Sequence, residues 1–123
     1  MNVPVLRVPF DDQDRAFLHQ AWDAVLSSGM LTTGNWTEEV EEEFRAFTGA
    51  SYAVATNSGT AALEAIIRGL EIHGESIIVP TNTFLATALA VAHTGNRVIF
   101  ADSDPETMCL DPDDVRRRIR PDT

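Results

Sequence analysis

Apolar positions in the first part of the chain recur at helical spacing. Phe17, Ala21 and Val25 form one row and Leu18, Trp22 and Leu26 the next, which predicts a helix over Asp11 to Ser28, ended by Gly29. Met30 to Trp36 reads as a polar, turn-rich connector. A second helix is predicted to start near Thr37, with Glu38 and Glu39 at its positive end. Val40, Phe44 and Phe47 would make its buried stripe, and Gly49 its stop.

Beyond Gly49 short apolar runs alternate with helical patterns. Tyr52 to Thr56 reads as a short buried strand and Asn57-Ser58-Gly59-Thr60 as a tight polar turn. Leu63, Ile66, Ile67 and Leu70 follow at i, i+3, i+4 and i+7, a helical stripe. Ile77 to Pro80 is a second strand, Thr81 to Thr83 a turn, and Phe84 to His93 an alanine-rich helix that Gly95 ends. Arg97 to Ala101 is a third strand, and Asp113 to Arg120 a last helix. Strands alternating with helices through short turns predict an α/β fold with a parallel sheet covered on its faces.

The chain has 123 residues and a net charge of −10, so nucleic acid or an anionic membrane surface has no electrostatic attraction for it. Its nine cations are all arginines, and it has no lysine. A single cysteine, Cys109, forms no internal disulfide and suits a reducing cytoplasm. The N-terminal residues show no signal-peptide pattern, and the apolar run at Leu85 to Ala92 is far below the ~20 residues that span a membrane. A cytoplasmic protein is expected.

Ligands of open α/β sheets bind beyond the carboxyl ends of the strands. There, Asn57-Ser58-Gly59-Thr60-Ala61 leads into a helix, and its small residues let backbone N–H groups approach an anion. The helix N-terminus and the Ser58 and Thr60 hydroxyls add to this, an arrangement suited to phosphate. An ordinary helix cap uses the same residue types. Phe84, at the next strand end, suits either the face of a flat aromatic ligand or the core. Asp102 and Asp104 could ligate a divalent ion, as a D-x-D pair does in nucleotide-sugar glycosyltransferases, or cap a loop before Pro105. Glu41-Glu42-Glu43 reads as a solvated helix face. His19, His73 and His93 lie on separate segments and form no metal set.

Taken in order, these segments resemble the DegT–StrS family of pyridoxal-phosphate-dependent nucleotide-sugar aminotransferases. The resemblance runs from about Phe10 to Thr123. It rests on Ser28-Gly29-Met30-Leu31-Thr32-Thr33-Gly34, on Asn57-Ser58-Gly59-Thr60-Ala61-Ala62-Leu63, and on Ile78-Val79-Pro80-Thr81-Asn82-Thr83-Phe84. Leu85-Ala86-Thr87-Ala88, Phe100-Ala101-Asp102-Ser103-Asp104-Pro105-Glu106-Thr107, Leu110-Asp111-Pro112, the stretch around Glu39 to Gly49 and the closing Ile119-Arg120-Pro121-Asp122-Thr123 complete it. Gly74-Glu75-Ser76 departs slightly from the family's Gly-Asp-Glu.

The resemblance implies the N-terminal portion of the large domain of a fold type I aminotransferase, three-layered with a mostly parallel sheet. Residues 1–123 would be an incomplete cofactor-binding domain. Gly59, Thr60 and Ala61 would hold the phosphate of pyridoxal 5'-phosphate, with Ser58 shaping the turn and Phe84 stacking on the ring. Thr32 and Thr33 would border the sugar substrate, and Asp102 and Asp104 become structural. The implied fold also separates the strand at Tyr52 to Thr56 from the other two, leaving strand edges and apolar helix faces exposed.

The implied reaction moves an amino group from glutamate to a nucleotide-linked keto sugar, in a homodimer. It needs a lysine that bonds the cofactor covalently and a carboxylate at the pyridine nitrogen, which in the family lie past the segment matched here. An arginine cannot replace that lysine, because a guanidinium does not lose its proton. The expectation is a cofactor cradle with no catalytic residue and no covalent attachment, inactive alone. The alternative is a noncatalytic remnant that binds a phosphorylated small molecule or serves as an oligomerisation module.

Overall fold

The computed structural model describes Leu6 and residues 8–123, in two compact units that divide between Val54 and Ala55.

The first unit holds helices α1 (Asp12–Ser28) and α2 (Asn35–Thr48). Local chemistry sets their ends. Asp11 accepts from the N–H groups of Gln13 and Asp14, while the Asp14 carboxylate accepts from the Asp11 N–H, a reciprocal cap at the start of α1. Gly29 closes it with φ +70°, a conformation that costs glycine little. Helix α2 begins at Asn35, two residues before the expected Thr37. The Gly34 carbonyl accepts from Thr37 N–H at 2.9 Å, so Asn35 and Trp36 belong to the first turn rather than to a connector. The Trp36 ring meets Phe17 edge-on, with centroids 5.6 Å apart.

The second unit runs α3 (Gly59–Gly69), β1 (Ser76–Pro80), α4 (Leu85–His93), β2 (Arg97–Ala101) and α5 (Pro112–Arg118). Strands β1 and β2 pair in parallel, Ser76 opposite Arg97 through Pro80 opposite Ala101. Alternation along the strands puts Ile77, Val79 and Val98 on one face, where they pack with Ile67 of α3 and Val91 of α4. Asp111 caps α5 and Pro112 opens it, where a missing N–H costs nothing. The helix stops at Arg118, short of the expected Arg120, because Arg120 precedes Pro121 and is disfavoured in the helical region.

Two expectations are corrected. Tyr52 to Thr56 is no strand: the one sheet among the described residues is β1–β2. Tyr52 and Val54 are 87% and 80% exposed. A strand exists only as a ladder, and the β1–β2 pairing does not include this segment. Likewise Val40, Phe44 and Phe47 form no buried stripe; neither α1 nor α2 buries any residue. Their helical periodicity is real, but burial needs an apolar surface opposite it.

Candidate functional site

The carboxyl end of β1 leads through Thr81–Thr83 to Phe84, the residue that caps α4. Helices α3 and α4 lie against each other, and Arg68, in the last turn of α3, donates to the carbonyl of His93, the last residue of α4. Their C-terminal ends therefore adjoin. Helices of similar length, 11 and 9 residues, then present their N-termini at one end of the unit. That end carries Ser58–Ala61 and Phe84, close to the strands' carboxyl ends.

At the start of α3 the backbone donors divide unequally. Ser58 Oγ accepts from Ala61 N–H at 3.2 Å, and the Ser58 carbonyl accepts from Ala62 N–H at 3.1 Å. Gly59 and Thr60 N–H have no hydrogen-bond partner among the described residues. These are the helix's orphan donors, at its positive end. A Cβ built on Gly59 would meet nothing within 4 Å, so a ligand can come close to the backbone there. The arrangement thus combines an ordinary cap at Ala61 with two open donors beside the Thr60 hydroxyl. It fits a phosphate ester.

Phe84 is 83% exposed, so it is not a core phenylalanine. Its backbone is extended, φ −70° and ψ 140°, and its ring is free to cover a flat ligand.

Asp102 and Asp104 serve the loop that follows β2. Asp102 Oδ1 accepts from the Thr81 hydroxyl at 3.3 Å, tying the two strand ends together. Asp104 Oδ1 accepts from Glu106 and Thr107 N–H at 2.7 and 3.0 Å, and these bonds hold its carboxyl below the usual range. Among the described residues no three or more His, Cys, Asp or Glu are grouped to hold a metal.

Sequence reasoning missed Asp114. This carboxylate is 6% exposed, accepts from Asp102 N–H at 2.7 Å, and pairs with Arg118 and Arg117 at 2.6 and 3.1 Å. Those donors, the Asp102 N–H first, hold its pKa at about 2. The signal was available in the i, i+3 and i, i+4 spacing of Asp114 to Arg117 and Arg118. Asp114 pins α5 under the end of β2, so it is a scaffold residue of this loop cluster.

Thr32 and Thr33 lie in the first unit, between α1 and α2. Thr33 has φ +40°, an outlier for a β-branched residue. It lines a cleft of about 520 Å³ with Ser28, Met30, Asn35, Trp36 and Glu38; Thr32 is not among the residues lining it.

No helix among the described residues is long and apolar enough to cross a membrane. A sequence profile of the DegT/DnrJ/EryC1/StrS aminotransferase family matches residues 12–123. The chain is 32% identical to the 3-oxo-glucose-6-phosphate:glutamate aminotransferase of Bacillus subtilis, over 99% of its own length and 30% of that protein's. It is 39% identical to the dTDP-3-amino-3,4,6-trideoxy-alpha-D-glucose transaminase of Streptomyces venezuelae, covering 95% of this chain and 33% of that one. Among solved structures, the GDP-4-keto-6-deoxy-D-mannose-3-dehydratase of E. coli with bound hydrated pyridoxal phosphate superposes with a TM-score of 0.84. That match is 29% identical and covers 99% of this chain and 32% of the other. The chain thus spans about a third of the length of these relatives.

Proposed function

The chain belongs to the DegT/DnrJ/EryC1/StrS aminotransferase family, and on that premise we propose that its second unit holds pyridoxal 5'-phosphate for amino-group transfer from glutamate to a nucleotide-linked keto sugar. The family's cofactor is pyridoxal phosphate, and these residues correspond to the N-terminal portion of the fold type I large domain. The carrying observation is the pair of open N–H groups at Gly59 and Thr60, beside an Ala61 N–H already capped by Ser58.

In this reading Gly59 and Thr60 bind the phosphate, with Ala61 completing the turn and Ser58 fixing its shape. Phe84 covers one face of the ring and excludes water from it. Thr32 and Thr33 border the sugar. The bound cofactor supplies an electron sink that lets an amino group be moved. The chain has no lysine, so residues 1–123 hold the cofactor without a covalent bond and act as an incomplete cofactor-binding domain. Catalysis would need the lysine and carboxylate implied by the resemblance, in a homodimer.

The surroundings we infer are cytoplasmic, in keeping with the exposed free thiol of Cys109. Neither nucleic acid nor a membrane is a partner for a chain of charge −10. A relative named as a dehydratase carries the same segment, which favours a division of labour: this segment grips the cofactor, and the choice of reaction is made elsewhere.

Calorimetry with pyridoxal phosphate and unphosphorylated pyridoxal tests the proposal. The phosphorylated form should bind more tightly, and Gly59→Val should erase that difference while leaving the fold intact, because open space surrounds that position. Phe84→Ala should weaken both ligands alike. Equal binding of the two ligands by the unaltered chain would leave only the oligomerisation-module reading.

A further inference from the structure

Away from the phosphate turn, three residues join the middle and last turn of α3 to the end of α4. His93 Nδ1 and Glu64 Oε1 lie 2.9 Å apart, and Arg68 Nη2 donates to the His93 carbonyl at 3.3 Å. Glu64 and Arg68 stand one turn apart on α3, and His93 is the last residue of α4. The Glu64 and His93 side chains are 27% and 56% exposed, a setting in which a polar side-chain pair adds little stability.

Its geometric effect is larger. Helix α4 reads Leu-Ala-Thr-Ala-Leu-Ala-Val-Ala-His, and it buries Ala88, Ala90 and Val91. Such short side chains make low ridges, and helices keep their axial register by fitting ridges into grooves. Val91 against Ile67 is the one larger knob that α4 buries, so polar contacts at its end add to the hold on its axial position.

We propose that Glu64, Arg68 and His93 are positioning residues that fix the axial register of α4 against α3 and so set the separation between Gly59–Thr60 and Phe84. The proposal rests on the reading above, in which these two groups contact the phosphate and the ring of one cofactor. The cofactor's phosphate and ring are a short, nearly fixed distance apart. A slip of one residue moves a helix by about 1.5 Å, enough to take Phe84 off the ring while the phosphate contacts persist.

Two readouts test this, with Glu64→Leu as the breaking variant, Arg68→Met as a second, and Glu64→Gln as the variant that keeps an acceptor oxygen. In ligand-free amide spectra, the breaking variants should shift Gly59, Thr60 and Leu85 at the far ends of the helices, with helicity unchanged. Their affinity for pyridoxal phosphate should fall about fivefold relative to that for inorganic phosphate, and Glu64→Gln should restore the ratio. A purely stabilising contact would move both affinities together.

Spectral changes confined to the neighbours of Glu64, Arg68 and His93, or an unchanged ratio, would overturn the proposal. Failure of the unaltered chain to bind inorganic phosphate at Gly59 would instead count against the cofactor reading. The ligand-free spectra would still decide the register. If one breaking variant fails to fold, the other carries the same test.

Discussion

The two units use the same local devices and reach different ends. In the first, Asp11 and Gly29 bound α1 and Gly49 closes α2, yet neither helix buries a residue. Phe17, Leu18, Ala21, Trp22, Val25 and Leu26 line an apolar groove of about 600 Å³ with Leu31 and Trp36. In the second, a cap of similar kind at Ser58 begins α3, and α3 and α4 bring Ile67 and Val91 against Val79 of a parallel strand pair. Caps and periodicity decide where a helix starts and stops. A core appears only where a second element supplies the facing surface.

The sharpest way to break this contrast is to truncate one side chain in each unit. Val91→Ala, at a position 3% exposed, should cost the second unit about 2 kcal/mol in urea unfolding. If it costs no more than a surface change, the unit has no working core.

Next comes the Asp114 cluster. Its carboxyl is held at about 2 in the folded chain, below its unfolded value, so its contribution is complete above the ordinary carboxylate range. It is lost as the pH falls toward 2. Asp114→Asn should therefore flatten the acid limb of the second unit's stability curve. An unchanged acid limb would mean that the Asp102 N–H and the arginines do not hold that charge.

A smaller effect is expected from Asp11→Ala, which removes the cap of α1 and should cost the helix about 1 kcal/mol, read as faster amide exchange at Gln13 and Asp14. Smallest is Phe44→Ser, at a side chain 59% exposed, which should change unfolding stability by no more than about 0.5 kcal/mol. Self-association measured by sedimentation should fall, since an apolar patch is being reduced. A loss as large as that of Val91→Ala would show a buried α2.

Much of the local architecture was legible in the sequence. Strand β2 spans Arg97–Ala101 as read, and α1 differs from its expected span only in the status of Asp11. Both are marked by strong periodicity between clear stop signals. The start of α2 was misplaced because Asn35 and Trp36 look like turn residues, whereas a backbone carbonyl alone, that of Gly34, begins the helix. Burial at Val40, Phe44 and Phe47, and the strand at Tyr52–Thr56, were read from local patterns, but each depends on non-local partners. At the site, the small residues of Ser58–Ala61 pointed to the turn. That Ser58 already occupies Ala61 and leaves two donors open is a matter of rotamer and helix phase that no residue pattern encodes.

An amide-resolved titration of the chain with pyridoxal phosphate decides whether those two open donors hold the phosphate. The largest shifts are expected at Gly59 and Thr60, with a smaller one at Ala61 and perturbation of the Phe84 ring. Shifts spread evenly over the surface, or greatest along the arginines at 116–118 and 120 and absent at Gly59 and Thr60, would contradict that role.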